Sequence, residues 1–333
     1  MEFRRNIEDK LKACSQSPFR KPLVLRGARQ VGKTTAVKQF AVNYEQFIYL
    51  NLETDDAKSF EGERDIHKIV DRIFFLKDGE KGKADTLIFI DEIQEVPSAL
   101  NMLRYFYEEY PEYHVIAAGS LLESLFDRDV SFPVGRVDYL YMYPFTFGEF
   151  LEALGEKNAL NAYRQVPVPD YAVDKLMQLF HTYTLVGGMP EAVYRYVVTK
   201  DLSQVKPVYD SLLLSYLDDV EKYAKTTNQM QVMRHCIRSC FAEAGERIKF
   251  AGFGESAYSS KEVGEAMRTL RKALILHLTY PTTQTMLPFT PDIKRSPRLQ
   301  VLDTGMLNYF SNIQKEVFTS KDLNNLYKGR IAE

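Results

Sequence analysis

The sequence has few cysteines, almost no net charge and no long apolar run. Three cysteines in 333 residues are too few for a disulfide framework, so we expect a reducing, cytoplasmic environment. The 43 Lys and Arg and the 45 Asp and Glu give a formal charge of −2, which excludes a uniformly basic DNA-coating protein. Because no run of about 18 apolar residues occurs, the sequence predicts no transmembrane helix. The first residues alternate charged and apolar side chains, so we expect no secretory signal peptide.

The charges are distributed unevenly along the chain. Residues 1–229 carry 28 basic and 35 acidic side chains, whereas residues 230–333 carry 15 basic and 10 acidic side chains. An asymmetry of this kind indicates that the C-terminal part meets a different partner from the rest of the chain. At about 150 residues per domain, the length indicates roughly two domains.

Short apolar segments alternate with helical patterns over the first 150 residues. The segments are rich in β-branched or aromatic residues and lie at 23–25, 47–52, 86–93, 113–118 and 137–143. Amphipathic helices are predicted between them at 34–42, 66–76 and 98–110, and before them around Phe3, Ile7 and Leu11. Strands that alternate with helices of this length predict an open, mostly parallel α/β sheet.

The pattern changes after about residue 145. Helices are predicted at 147–154, 171–186, 190–198, 202–224 and 230–244, with few signals for strands. A helix at 260–272, followed by short strands at 277–280 and 299–302, is typical of a winged-helix-like fold. We therefore expect three parts: an α/β core over residues 1–150, a helical lid over residues 151–228 and a winged-helix-like domain over residues 229–333.

A glycine-rich segment follows the first predicted strand and opens the next helix. Residues 27–34 match G-x-x-x-x-G-K-[ST] in full, a loop whose backbone N–H groups point at a phosphate. Lys33 would reach the β- and γ-phosphates of ATP, and the Thr34 hydroxyl would hold Mg²⁺. The alternative is a glycine-rich turn that only opens a helix. The residues expected to bind the nucleotide are Gly27, Ala28, Arg29, Gln30, Val31, Gly32, Lys33, Thr34 and Thr35.

Two carboxylates end the third predicted strand. Asp91 and Glu92 follow the apolar residues 87–90 and so reach the carboxyl edge of the sheet, where open α/β sheets bind ligands. Asp91 is placed to hold the Mg²⁺ shell, and Glu92 is the natural general base for the attacking water. Small GTPases and many nucleotide kinases lack the second acid, so the pair favours the ATPase branch of P-loop proteins, which has an added strand beside the P-loop strand. The alternative is that two acids merely end a strand.

Two further residues are candidates for catalytic roles. Ser120 follows a strand that we expect between the phosphate-loop strand and the acidic strand, so it could contact the γ-phosphate or the attacking water. Its alternative role is to cap a helix at 121–126. Arg136 could act as an arginine finger, in cis or from a neighbouring subunit, and Arg128 competes for that role. A plain surface arginine is the alternative for both.

These motifs resemble those of a known family. Residues 25–35 and 89–94 look like the prokaryotic AAA-type ATP-binding proteins of the archaeal-ATPase-like group, and so do residues 135–136, 143–150, 187–192 and 303–307. The resemblance covers essentially the whole chain. It implies an AAA-type P-loop core of the ASCE branch, a winged-helix-like region and then a restriction-nuclease-like domain. This chain stops at residues 328–333, where that last domain would begin, so we expect a truncated protein or the product of a degenerate gene and assign it no nuclease chemistry.

Cations gather in the predicted winged-helix-like part. Such spacing suits phosphate contacts in duplex DNA. Glu262 and Glu265 lie on the same helix, so an ordinary solvated face is one alternative, and a helix that docks on a protein is another. The helix carries Lys261, Arg268, Arg271 and Lys272, and the loop before the last strand carries Lys294, Arg295 and Arg298.

The sequence therefore predicts Mg²⁺-dependent ATP binding and slow hydrolysis, coupled to a conformational change of a C-terminal module that docks on DNA or protein. Turnover is expected to be slow because an arginine from a partner or a second copy of the chain would complete the site. The alternative is a nucleotide-gated switch or scaffold with little turnover that acts through protein–protein interaction.

Overall fold

The structure is a computed structural model that describes residues 2–60, 62–63, 65–120, 135–224 and 226–310. The chain divides into two compact units, residues 2–143 and residues 144–333. Arg128, the expected helix at 121–126 and the C-terminal residues 328–333 lie outside the described residues. In the described part of the chain, no helix combines the length and the apolar character that a membrane span needs.

A five-stranded sheet forms the centre of residues 2–143. The strands are β1 (Leu23–Arg26), β2 (Gln46–Asn51), β3 (Thr86–Asp91), β4 (His114–Gly119) and β5 (Asp138–Tyr141). Their order in the sheet is β2-β3-β4-β1-β5, and every neighbouring pair is parallel. The predicted parallel α/β sheet is therefore confirmed, and β4 lies between β1 and β3 as expected.

Helices cover this sheet because each carries an apolar stripe. In one of them Ile66, Ile69, Val70 and Ile73 recur at helical spacing and pack in a buried cluster with Ile88 of β3. All six residues of β3 are buried, as expected for a central strand of a parallel sheet. The helices of this unit are α1 (Ile7–Ser15), α2 (Lys33–Phe40), α3 (Ile66–Leu76) and α4 (Pro97–Glu109).

Residues 144–310 are mainly helical. The predicted helices are found with small shifts at their ends, whereas the pattern gives no signal for the helix at Lys157–Tyr163. The helices are α5 (Phe147–Ala153), α6 (Lys157–Tyr163), α7 (Asp170–Val186), α8 (Pro190–Thr199), α9 (Lys206–Tyr223), α10 (Thr227–Cys240), α11 (Ser260–Lys272) and α12 (Thr304–Phe310).

An antiparallel hairpin of β6 (Leu276–Thr279) and β7 (Arg298–Val301) follows α11. Residues 245–248 run along the other side of β7, where Gly245 N donates to Leu299 O at 2.7 Å and Ile248 N donates to Pro297 O at 2.9 Å. A short 3₁₀ turn at Phe253–Glu255 separates this segment from α11. The order after residue 226 is therefore helix, extended segment, turn, helix, strand and strand.

Candidate nucleotide site

The phosphate loop at residues 27–32 joins β1 to α2, and its shape depends on two glycines. Gly32 has φ of 94°, a left-handed conformation that favours glycine, immediately before the first residue of α2. A Cβ atom on Gly27 would lie 2.4 Å from the backbone oxygen of Met142, so a larger residue cannot occupy this position without moving the chain. The loop therefore curls tightly at the N-terminus of α2, where backbone N–H groups have no helical partner.

Lys33 is buried at the base of this loop. Its ammonium donates to Gly27 O at 3.0 Å and to Ala28 O at 2.9 Å. Burial lowers the pKa of Lys33 to about 8, and the carboxylates of Glu92 and Asp91 oppose this effect. The side chain thus lies within a loop of backbone carbonyls, close to two acids of β3 and the turn after it.

Thr34 and Asp91 are in direct contact. The Thr34 hydroxyl donates to Asp91 Oδ2 at 2.7 Å, and the Tyr49 hydroxyl reaches the same oxygen at 3.3 Å. A hydroxyl and a carboxylate oxygen side by side are a fitting pair for Mg²⁺, which takes few protein ligands and keeps waters and phosphates. Among the described residues, no group of three or more His, Cys, Asp or Glu side chains could hold a metal ion, so an all-protein cage is absent there.

Glu92 follows Asp91 in a left-handed backbone conformation with φ of 51°. Its N–H donates to Asp91 Oδ1 at 3.1 Å, and its carboxylate accepts from Gln94 Nε2 at 2.7 Å. Burial raises the pKa of Glu92, while the Gln94 amide and the charge of Lys33 oppose that shift. The result is a desolvated carboxylate held in one orientation beside the phosphate loop.

Ser120 and Arg136 occupy different surroundings. Ser120 directly follows the last residue of β4, at the carboxyl edge of the sheet between the strands that bear the loop and the acids. Arg136 forms an exposed ion pair with Glu108 of α4, with 3.1 Å between Nε and Oε1. The structure thus brings Lys33, Thr34, Asp91 and Glu92 together and places Ser120 at the same sheet edge, whereas Arg136 is engaged on the surface of α4.

Three residues near the site belong to neither sequence motif and were therefore not predicted. Arg5 is buried and donates to Val31 O at 3.1 Å and to Tyr143 O at 2.7 Å, so it holds the phosphate loop against the segment after β5. Tyr49 and Gln94 hold the two acids, as given above. Arg5 is adjacent to another arginine in a charged N-terminal segment, and nothing in that pattern distinguishes the buried arginine from the exposed one.

Known families and structures match this arrangement. Residues 19–151 match the AAA domain family, and residues 177–317 match a domain of unknown function. The chain is similar to a solved Walker-type ATPase of Pyrococcus abyssi, with 15% identity and a TM-score of 0.59 over 93% of this chain and 96% of that one. At this identity the likeness concerns the fold.

Weaker likenesses are found to the Holliday junction branch migration motor RuvB of Thermotoga maritima and to PCH-2 of C. elegans. RuvB is 16% identical with a TM-score of 0.37, over 83% of this chain and 90% of its own. PCH-2 is 14% identical with a TM-score of 0.37, over 62% of this chain and 69% of its own. No curated protein matches the sequence. The chain thus has a P-loop fold similar to that of the archaeal ATPase, with residues 19–151 matching the AAA domain family and residues 177–317 matching a domain of unknown function.

Proposed function

We propose that the chain binds MgATP at residues 27–35 and hydrolyses it, and that the bound nucleotide controls the docking of a C-terminal module on duplex DNA. The observation that carries the nucleotide part is the 2.7 Å contact between Thr34 and Asp91, with Lys33 and Glu92 beside it. A phosphate-binding lysine, a metal-binding pair and a base are the groups that hydrolysis of a γ-phosphate requires.

Each residue has a role that follows from its contacts. Lys33 would exchange the carbonyls of Gly27 and Ala28 for phosphate oxygens, because a hydrogen bond between two charged groups is the stronger one. Thr34 and Asp91 would hold Mg²⁺, which would offset the negative charge of the phosphates. Glu92 would orient the attacking water and accept its proton, a task that its raised pKa favours.

Ser120 would contact the γ-phosphate or the water from the neighbouring strand. Its place after β4, between the loop strand and the acidic strand, supports this role. An arginine finger from Arg136 would require that its ion pair with Glu108 open, and such exposed pairs contribute little stability.

The DNA part of the proposal is supported by the elements after residue 226. Their order matches a winged helix, in which the helix before the hairpin contacts DNA. On α11 the apolar residues Val263, Met267 and Leu270 are buried, whereas Lys261, Arg268 and Arg271 are exposed. We propose domain limits of 1–150, 151–228 and 229–333 for the ATPase core, the lid and this module.

A nucleotide-gated switch with little turnover is the second candidate. The Gln94–Glu92 contact favours it, because an amide that donates to the carboxylate stabilises its charged form and makes it a weaker base.

ATPase assays with and without duplex DNA distinguish the two candidates. For a working ATPase, we expect turnover that DNA stimulates and that Glu92→Gln lowers by about 100-fold or more, the usual range for a lost general base. Glu80→Gln, the same chemical change at an exposed site between α3 and β3, should leave turnover unchanged. Near-zero turnover of the wild type with tight retention of ATP would instead support the switch.

Affinity for a fluorescent ATP analogue tests the site itself. Lys33→Ala should weaken binding by about 10- to 100-fold, the equivalent of a lost charge-assisted contact. Lys10→Ala, at an exposed position of α1, should bind as the wild type does. If Lys33→Ala also binds as the wild type does, the phosphate-loop assignment is wrong.

A further inference from the structure

The loop between β6 and β7 presents an apolar tip. Asp292 N donates to Pro281 O at 2.8 Å, and Thr290 donates to Gln284 Oε1 through its hydroxyl at 3.0 Å and its N–H at 3.3 Å. These bonds close the loop and leave residues 285–289, here called the wing tip, beyond them. The large apolar side chains of the tip are exposed: Met286 at 80%, Leu287 at 81% and Phe289 at 58%.

The exposed apolar side chains of the wing tip indicate that this loop binds a partner. Single apolar residues on a surface are common, but three large exposed ones within five residues of one loop are typical of an interaction site. Residues 273–291, which include β6 and the wing tip, contain no Asp, Glu, Lys or Arg. The tip therefore has no charged side chain of its own that would favour its contact with water. The tip is exposed, whereas Leu276, Leu278 and Leu299 of the hairpin are buried.

The surface that leads to the wing tip is cationic. On the outer face of the hairpin, His277 pairs with Gln300 and Thr279 pairs with Arg298. The end of α11 packs against β6, and burial and then the charge of Arg271 lower the pKa of His277. From the start of α11 to the end of β7, residues 260–302 hold seven Lys or Arg against three acids, Glu262, Glu265 and Asp292, and Asp292 Oδ2 lies 3.6 Å from Arg295 Nε.

A cationic face with an apolar tip fits a polyanion whose interior is apolar. Duplex DNA has this chemistry, because phosphates line its surface and stacked bases fill its core. An anionic bilayer would use cations next to the tip. The cations of this chain also extend along α11, a helix of about 20 Å, and that arrangement suits the phosphates along a groove better than a flat bilayer.

We propose that the wing tip is an apolar wedge that enters the base stack of duplex DNA while α11 contacts the phosphates. The inference rests on the DNA part of the proposed function and adds the way in which the DNA is deformed. Proteins that insert Phe, Leu or Met between base pairs unstack one step and bend the duplex, which lets more of their surface touch the phosphates.

Three combined variants of the full chain test this. The tip variant changes Met286, Leu287 and Phe289 to Ser. The charge variant changes Arg268, Arg271 and Lys272 to Ala. A matched control changes the exposed residues Val166, Tyr171 and Met177 to Ser. Thermal unfolding checks that each protein folds.

Binding is measured with a labelled duplex at several salt concentrations, and unstacking with a duplex that contains 2-aminopurine. The tip variant should bind about tenfold more weakly, with an unchanged salt slope, and should lose the rise in 2-aminopurine fluorescence. The charge variant should lower the salt slope by about three. The control should behave as the wild type in both assays.

Several results would overturn the inference. If the charge variant loses affinity while the tip variant binds and unstacks as the control does, the wedge is wrong and the DNA part of the proposed function stands. If the wild type binds vesicles of phosphatidylserine and phosphatidylcholine but no duplex, both the wedge and DNA docking are wrong. ATP hydrolysis is measured separately, so neither result affects that assignment.

Discussion

Arg5 shows how a residue outside a motif determines the shape of that motif. Its guanidinium joins the Val31 carbonyl of the phosphate loop to the Tyr143 carbonyl after β5, and it is 6% exposed. The Val31 carbonyl, which lies in a buried residue, thereby has a charged donor. Because a guanidinium has several donors in a fixed geometry, lysine could not make both contacts in the same way.

We expect Arg5→Met to loosen the phosphate loop. The substitution keeps an unbranched apolar stem but removes both donors, so it should destabilise the protein by about 2–3 kcal/mol and weaken binding of ATP. Arg4→Met is the matched control, since Arg4 is exposed and pairs with Asp9 at the surface. Calorimetric unfolding and ATP titration measure both effects. Equal behaviour of the two variants would contradict this role for Arg5.

At the residue scale, the sequence predicts those site residues whose spacing is fixed by the chemistry of phosphate and metal binding. The loop motif and the acid pair name Lys33, Thr34, Asp91 and Glu92, and the fold brings these four together. The partners of the acids could not be predicted, because the contact between Tyr49 and Asp91 depends on which side chains two neighbouring strands place side by side.

At the element scale, local signals predict a helix well when they are strong. The helix predicted at 260–272 matches α11 at both ends, because Ser259 and Glu262 form a capping box and the apolar stripe is regular. The α6 helix has seven residues and only Ala159, Leu160 and Ala162 buried, too short a pattern to show a period. The segment at 245–248 pairs with β7, about fifty residues away, and a local pattern carries no information about such a partner.

Asp303 links three segments that resemble the family but for which the sequence indicated no chemical role. Its carboxylate accepts from Gly188 N at 2.5 Å, from the Tyr209 hydroxyl at 2.8 Å and from Met306 N at 3.0 Å. Gly188 O in turn accepts from Phe145 N at 2.6 Å. Residues 143–150, 187–192 and 303–307 thus meet around one buried acid, whose pKa burial raises against the opposing effect of these bonds.

We expect Asp303→Asn to be strongly destabilising despite its similar size. The asparagine keeps one acceptor oxygen and replaces the other with an NH₂ group, which would face either Gly188 N–H or the donors from Tyr209 and Met306. At least one buried donor then loses its acceptor, which costs about 1–3 kcal/mol. Asp174→Asn, on the exposed face of α7, should change stability by less than about 0.5 kcal/mol. Thermal unfolding of the two variants gives the comparison, and equal midpoints would contradict the role of Asp303.

At the scale of the whole molecule, the net charge of −2 is the sum of two opposite contributions. The acidic excess lies in residues 1–229, which include the AAA domain, and the basic excess lies in residues 230–333, which include α11 and the wing tip. The sequence shows this division without any structure. It could not show that the cations of α11 are exposed on one face, because that depends on which side of the helix the rest of the fold covers.

If the proposed coupling exists, nucleotide and DNA must change each other's affinity by the same factor. Glu92→Gln allows the measurement with ATP bound, because hydrolysis is expected to stop. We expect ATP to change duplex affinity by about 5- to 150-fold, the usual range for coupled sites, and duplex to change ATP affinity equally. Lys33→Ala should abolish the effect of ATP and leave nucleotide-free duplex affinity unchanged. A duplex affinity that is the same with ATP, with ADP and without nucleotide would show that the two sites act independently, because a ligand that binds both states equally shifts no equilibrium.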